Sequence, residues 1–160
     1  GLNDERRVQL SLLINLLGGP MSNSILNTVL REKYGLVYNI ETNYTAYTDA
    51  GVVNIYFGTA KQNLGKSIEL VKTELKKICD TALTIMQLHK AKKQLIGQLA
   101  IACESNEQQM LAMGKSYLAH NRYESMDETV KRIQNISALQ ILEVANEVFA
   151  PEQLSTLIYT

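Results

Sequence analysis

The sequence contains two histidines, His89 and His120, and histidine is the side chain most often used to hold a metal or to transfer a proton near neutral pH. Neither has a second histidine one helical turn away, which is the spacing of a zinc-binding pair. His89 lies in the lysine-rich run 88–93, and His120 lies in a polar stretch after a predicted helix. We therefore expect both to be surface residues and the chain to hold no catalytic metal.

The two cysteines, Cys79 and Cys103, fit neither a zinc-ligand spacing nor a dense disulfide framework. Both fall near the ends of predicted helices, and no histidine base is close to them in sequence. The sequence also lacks the serine of a strand-turn-helix elbow. We expect two buried free thiols and no nucleophilic catalysis.

A pair of hydrogen-bond donors, Arg31 and Tyr38, flanks Gly35, where the second predicted helix ends. A chain reversal at Gly35 can bring the guanidinium and the phenol to the same end of the domain. A simpler interpretation is that Arg31 complements the negative end of the helix dipole while Tyr38 packs in the sheet. The residues alone favour the simpler interpretation.

The glycine-rich connection 18–22 opens the second predicted helix, and backbone amides at a helix start can bind an anion. The segment lacks the lysine and the spacing of a phosphate-binding loop. A tight connection between two helices is therefore the favoured role for Gly18 and Gly19.

The charge balance gives no sign of a charged partner, because the 16 acidic and 16 basic residues cancel and are interspersed. No apolar run approaches the roughly 20 residues of a membrane-spanning helix, and residues 1–7 lack the apolar core of a signal peptide. With 46% hydrophobic residues among 160, the chain can bury the core of one domain. We expect a soluble domain with no nucleic-acid partner and no membrane span.

Apolar periodicity predicts a largely buried first helix over residues 4–17, ended by the Gly-Gly-Pro run 18–20. Ser22 or Asn23 is a candidate cap for the second helix, which Gly35 is well placed to end.

A β-hairpin is predicted next. Alternation over residues 36–47 places Tyr38 and Ile40 on the same face of a strand. A turn at residues 48–51 and a second strand over residues 52–58 complete the hairpin.

The remainder of the chain has helical periodicity until its last residues. Long helices are predicted from Leu64 and from Thr84. Two capping boxes mark two short C-terminal helices: Ser125 with Glu128 and Ser137 with Gln140. Residues 154–160 have the composition of a third strand.

These elements predict an α+β fold in which an antiparallel sheet packs against several helices, with residues 1–160 forming a single partial domain. Three strands make a thin sheet for this many helices, so we expect further N-terminal strands upstream of Gly1. An unpaired sheet edge or apolar helix face left by their absence would favour a homodimer.

The order and spacing of several segments resemble the insulinase/pitrilysin family of zinc peptidases, which includes the mitochondrial processing peptidases. The resemblance is carried by the run 16–26 (LLGGPMSNSIL), the run 30–38 (LREKYGLVY), Asp49-Ala50-Gly51 and the run 55–59 (IYFGT). The helix around residues 88–97 and the closing segment 145–154 look like the rest of the same half-domain.

The resemblance implies a half-domain of the processing-peptidase type, without catalytic residues or cofactor of its own. In this family the catalytic half binds zinc through a His-x-x-Glu-His motif, and that motif is absent here. The matching positions imply that Arg31 and Tyr38 bind the peptide substrate, with possible loop contacts from Gly18 and Gly19. The implied partner is a catalytic half-domain, in the same chain or a separate subunit.

The resemblance leaves two alternatives open. The parent protein is either an active peptidase, or an inactive relative that serves as a structural or peptide-binding subunit beside a separate catalytic chain. Family members often carry arginine where this chain has Ser24, which leaves the substrate preference undefined.

Overall fold

Helices pack on one face of a two-stranded antiparallel hairpin, as the predicted α+β class requires. The computed structural model describes residues 1–159, with residues 119 and 120 described by their backbone alone. The helices are α1 (Arg7–Gly18), a π-helix (Asn27–Lys33), α2 (Leu64–Asp80), α3 (Ile85–Ala102), α4 (Asn106–His120), α5 (Met126–Gln134) and α6 (Ala138–Val148), with 3₁₀ turns at Lys61–Asn63 and Pro151–Gln153. The strands are β1 (Val37–Ala46) and β2 (Gly51–Thr59).

Helix α1 lies at the centre of the core, as its apolar sequence predicts. It contacts β1, α3, α5 and α6, and Leu12, Leu13 and Leu17 are fully buried. Full burial of each such side chain contributes about 1.5–3 kcal/mol through the hydrophobic effect. Packing of α1 therefore joins the hairpin to the C-terminal helices.

Local capping signals define the helix starts in the second half of the chain. Both predicted capping boxes are present, and a third joins Thr84 to Gln87 at the start of α3. Each cap satisfies amides that the first turn of a helix leaves without a partner.

The predicted cap of the second helix is wrong. Neither Ser22 nor Asn23 makes a side-chain cap for it, and the Asn23 amide donates instead to Gln94 Oε1 of α3 at 3.2 Å. A tertiary hydrogen bond has replaced the local one.

The predicted third strand is also wrong for the residues that the structure describes. Residues 154–159 form no strand, and residue 160 lies outside the described residues. A strand is defined by pairing, and within residues 1–159 the sheet consists of β1 and β2 alone. Within residues 1–159, neither β1 nor β2 pairs with this segment.

No helix among the described residues combines the length and the apolar character needed to cross a lipid bilayer.

The close contact between Gly18 and Thr42 gives a prediction for stability. A methyl group on Gly18 would lie 2.9 Å from Thr42 Cβ and closer still to its hydroxyl, inside a packed core. We expect Gly18→Ala to lower the free energy of unfolding by roughly 1–3 kcal/mol, measured by chemical denaturation.

Gly97→Ala is the matched control, because Gly97 is an exposed residue of α3 with nothing within 4 Å of an added methyl group. This change should raise the free energy of unfolding by about 0.5–1 kcal/mol, since alanine is the better helix former. Equal effects at the two glycines would contradict the close packing of α1 on β1.

Candidate functional site

Arg31 lies in the last turn of the π-helix, with its guanidinium exposed. The backbone is widened there, since the Tyr34 amide donates to the Val29 carbonyl at 3.2 Å, a spacing of five residues. The helix is anchored by buried Leu30, and the Arg31 side chain is 54% exposed. Its ion pair with Glu32 is long, with 3.9 Å between Nε and Oε1. Exposed ion pairs of this kind contribute little to the stability of the fold.

Gly35 ends the helix, as predicted, and reverses the chain toward β1. Its φ of +59° is left-handed, a conformation that glycine adopts without steric cost. The Leu36 amide then donates to the Leu30 carbonyl at 2.8 Å, which closes the reversal. The turn thus leads from the arginine directly into the strand that carries the tyrosine.

Tyr38 sits at a β-bulge and points away from the core. Val37 pairs with Thr59 and Asn39 with Gly58, so Tyr38 is an extra residue with no partner across the hairpin. Its side chain is 75% exposed. The predicted alternation with Ile40 is therefore wrong at this position, and so is the interpretation that Tyr38 packs in the sheet.

Three residues around the bulge hold it in place, and the sequence analysis did not identify them as part of the site. The Thr59 hydroxyl donates to the Leu36 carbonyl at 2.6 Å. A methyl group on Gly58 would lie 2.8 Å from Asn39 Oδ1, so glycine leaves room for that side chain. Glycine inside a strand is the signal that could have indicated a bulge here.

Positive charge surrounds the turn. The ammonium groups of Lys33 and Lys66 each lie 5.2 Å from the centre of the Tyr34 ring, within the range of a cation–π contact. Arg31 adds a third cation on the same helix as Lys33. This end of the domain therefore presents hydrogen-bond donors suited to carbonyl or anionic oxygens.

The structure gives Gly18 and Gly19 a packing role. Gly18 is buried against Thr42 of β1, and the Gly19 amide closes α1 by donating to the Asn15 carbonyl at 3.0 Å. These contacts account for both glycines. Contacts of this loop with a substrate stay a prediction.

The histidines and cysteines lie away from this turn in the sequence and form no site in the described part of the chain. His89 is exposed on α3, as predicted, and the side chain of His120 lies outside the described residues. Both cysteines are free and half-buried; the Cys79 thiol donates to the Ala145 carbonyl at 3.4 Å. Burial, reinforced by Asp80, raises the pKa of that thiol and keeps it protonated.

Known proteins resemble this chain in both sequence and fold. Residues 1–95 match the family described as the peptidase M16 inactive domain. An uncharacterized zinc protease of Bacillus subtilis is 29% identical over 154 residues, covering 96% of this chain and 37% of the relative.

Two solved structures show the same fold. The peptidase M16 inactive domain from Pseudomonas fluorescens superposes with a TM-score of 0.80 at 22% identity, over 91% of this chain and 34% of that one. A chain of Complex III2 from Candida albicans superposes with a TM-score of 0.78 at 16% identity, over 92% of this chain and 37% of that one.

The family match and the shared fold together identify an α+β half-domain of the metallopeptidase type. The chain belongs to the family of peptidase M16 inactive domains, which confirms the resemblance seen in the sequence. It spans about a third of the length of the curated relatives that it matches.

We predict that the purified 160-residue chain binds no stoichiometric zinc. Within the described residues, no three histidine, cysteine, aspartate or glutamate side chains come together as a metal site would require. Metal analysis after incubation with equimolar zinc and dialysis should find the chain essentially metal-free. One zinc per chain, lost in His89→Ala or His120→Ala, would overturn this expectation.

Proposed function

We propose that this chain is the substrate-positioning, non-catalytic half of a zinc metalloendopeptidase that hydrolyses peptides in a closed chamber. The observation that carries the proposal is the exposure of Arg31 and Tyr38 on either side of the Gly35 turn. Apart from the long contact of Arg31 with Glu32, neither side chain has a hydrogen-bond partner among the described residues. Both are thus available to a ligand.

The two backbone segments that carry these donors are irregular in ways that occur often at functional sites. The π-helix widens the chain at Arg31, and the bulge turns Tyr38 outward. An ordinary surface needs neither device. A requirement that Arg31 and Tyr38 point outward toward a ligand would explain both the π-helix and the bulge.

The catalytic half of the parent would supply the zinc, because the described residues of this chain bring together no set of side chains that could hold the metal. The contribution of this half is donation: the planar Arg31 guanidinium binds peptide carbonyl oxygens, and the Tyr38 hydroxyl donates to an oxygen that gains negative charge during cleavage. A preorganised donor of this kind contributes about 3–4 kcal/mol to transition-state stabilisation. Alone, the 160-residue chain is expected to be inactive.

The catalytic half belongs either to the same polypeptide or to a separate subunit. The Bacillus subtilis relative is named a zinc protease, and this chain covers 37% of it, so such a relative is long enough to contain a second half-domain. We favour a catalytic half in the same polypeptide for that reason.

A structural or peptide-binding subunit is the alternative function, favoured by the likeness to a chain of Complex III2 from Candida albicans. Zinc content and peptidase activity of the parent protein distinguish the two functions. A parent that lacks a His-x-x-Glu-His motif and cleaves no peptide would establish the alternative.

The proposed donors give a kinetic prediction for the parent protein assembled with its catalytic half. Arg31→Ala and Tyr38→Phe should each lower kcat/KM for peptide cleavage by roughly a hundred- to a thousandfold, the range for losing one preorganised donor. The double variant should lose less than the product of the two effects, because both donors serve one substrate. Zinc content and the unfolding midpoint should stay unchanged.

Two matched variants separate this role from a structural one. Arg31→Lys keeps the charge but loses the planar fork, so it should restore little activity. Tyr47→Phe removes an exposed phenol just beyond the end of β1, on the far side of the hairpin from Tyr38, and should leave kcat/KM unaltered. If Arg31→Ala shifts only the unfolding midpoint, Arg31 merely complements the helix dipole and the proposal fails.

A further inference from the structure

Two lysines from different parts of the chain meet at one aromatic ring. Lys33 ends the π-helix and Lys66 lies in the first turn of α2, yet the ammonium nitrogen of each is 5.2 Å from the centre of the Tyr34 ring. Tyr34 is 42% exposed, and both lysines are exposed as well. This lysine pair, Lys33 and Lys66, therefore forms a cationic surface that a ligand can reach.

The backbone places the lysine pair next to the proposed donors. The amides of Tyr34 and Gly35 both donate to the Arg31 carbonyl, so the Tyr34 ring is attached one helical turn from Arg31. Contacts between the π-helix and α2 hold Lys66 against the same turn. An extended peptide advances about 3.3 Å per residue, so a substrate held by Arg31 would reach the lysine pair within roughly two to four residues.

Stacking on Tyr34 does not by itself account for two lysines. A single ammonium group is enough for a cation–π contact, and a second one at the same ring repels the first. Among the described residues, no carboxylate oxygen lies within 4.0 Å of either ammonium group, and the Glu32 carboxylate contacts Arg31 instead. An incoming negative charge would relieve the repulsion between the two lysines.

The chemistry of these side chains indicates the kind of ligand. Lysine binds a carboxylate as a compact point charge on a flexible stem, so it discriminates by charge more than by shape. The exposed Tyr34 ring beside the ammonium groups offers an apolar surface for the methylene groups of a bound side chain. A glutamate or aspartate of a peptide suits both features. A C-terminal carboxylate has the same charge but no methylene stem.

We propose that the lysine pair is a substrate subsite that binds the carboxylate of an acidic residue in the peptide, a few residues from the bond that is cleaved. The inference rests on the proposed function, because it assumes that the peptide lies across Arg31 and Tyr38. It adds a substrate class to that function. The preferred substrates carry a glutamate or aspartate on the side of the cleaved bond that faces α2.

Paired peptides test the subsite in the parent protein assembled with its catalytic half. The two internally quenched peptides of a pair differ by glutamate or glutamine at one position, and successive pairs move that position along both sides of the cleaved bond. At one or two neighbouring positions, the glutamate peptide should have a kcat/KM roughly three- to tenfold higher, as expected for two ammonium groups about 5 Å from a carboxylate in solvent. The ratio should approach one in 1 M salt, where charges are screened beyond about 3 Å.

Charge-reversal variants identify the lysines that cause the preference. Lys66→Glu should bring the ratio of glutamate to glutamine peptide to about one, because the new carboxylate offsets Lys33. The double variant of Lys33→Glu with Lys66→Glu should favour a peptide with lysine at the same position. Lys76→Glu is the matched control, since it makes the same charge change on an exposed residue of α2 about 15 Å further along the helix. It should leave the ratio unchanged.

Three outcomes would overturn the subsite. The first is a glutamate peptide with no advantage at any position. The second is an equal change of the ratio in Lys66→Glu and Lys76→Glu, since a merely structural role of Lys66 lowers cleavage of both peptides alike. The third is an advantage that appears only in free-acid peptides and is lost on C-terminal amidation, which would assign the lysine pair to the end of a peptide.

Failure of the proposed function is recognised separately. The ratio compares two peptides on one enzyme, so it can be measured whether or not Arg31→Ala lowers kcat/KM. A parent that cleaves no peptide would refute the proposed function. The same glutamate and glutamine peptides, labelled with fluorescein, are then compared as ligands of that protein by fluorescence anisotropy, where equal Kd values would overturn the subsite and a tighter glutamate peptide that Lys66→Glu weakens would support it.

Discussion

Helix α1 has apolar neighbours on several sides, and the rest of the domain is arranged around it. Its C-terminal residue, Gly18, approaches Thr42 of β1 so closely that no side chain fits between them. The same helix also contacts α3, α5 and α6. Helix α1 thus fixes the hairpin relative to the C-terminal helices. The short connection after Gly19 leads from α1 to the π-helix, which contacts β1.

The candidate site depends on this arrangement. The π-helix contacts both β1 and α2, and its buried Asn27 and Leu30 hold its inner side while Arg31 faces outward. On the strand side, Thr59 ties the entry of β1 to the end of β2, so the bulge that exposes Tyr38 has a rigid frame. Exposed side chains on well-packed backbone can be presented in one direction at small entropic cost, which suits recognition of an extended peptide.

Much of the fold follows from local signals. Ser125 and Ser137 define helix starts through hydrogen bonds that span three residues, and Gly35 ends a helix because of its own backbone preference. What the sequence could not reveal depends on neighbours distant in the chain. The position of the bulge at Tyr38 depends on pairing with β2, the amide of Asn23 donates to Gln94 of α3, and residues 154–159 pair with no strand in the described part of the chain. The residue types of the site were therefore predictable, whereas the outward direction of Tyr38 was not.

The contacts of α1 with the C-terminal helices also affect how the chain folds as it is made. Arg6, just before α1, pairs with Glu147 of α6, so some of the contacts that cover the first helix come from the far end of the sequence. At ribosomal rates of about 5–20 residues per second, the gap between synthesis of α1 and of α6 is on the order of ten seconds. Throughout that interval part of a strongly apolar helix lacks its final cover. Contacts of such long sequence separation form late, so the last cover of α1 has to wait for the C-terminal helices.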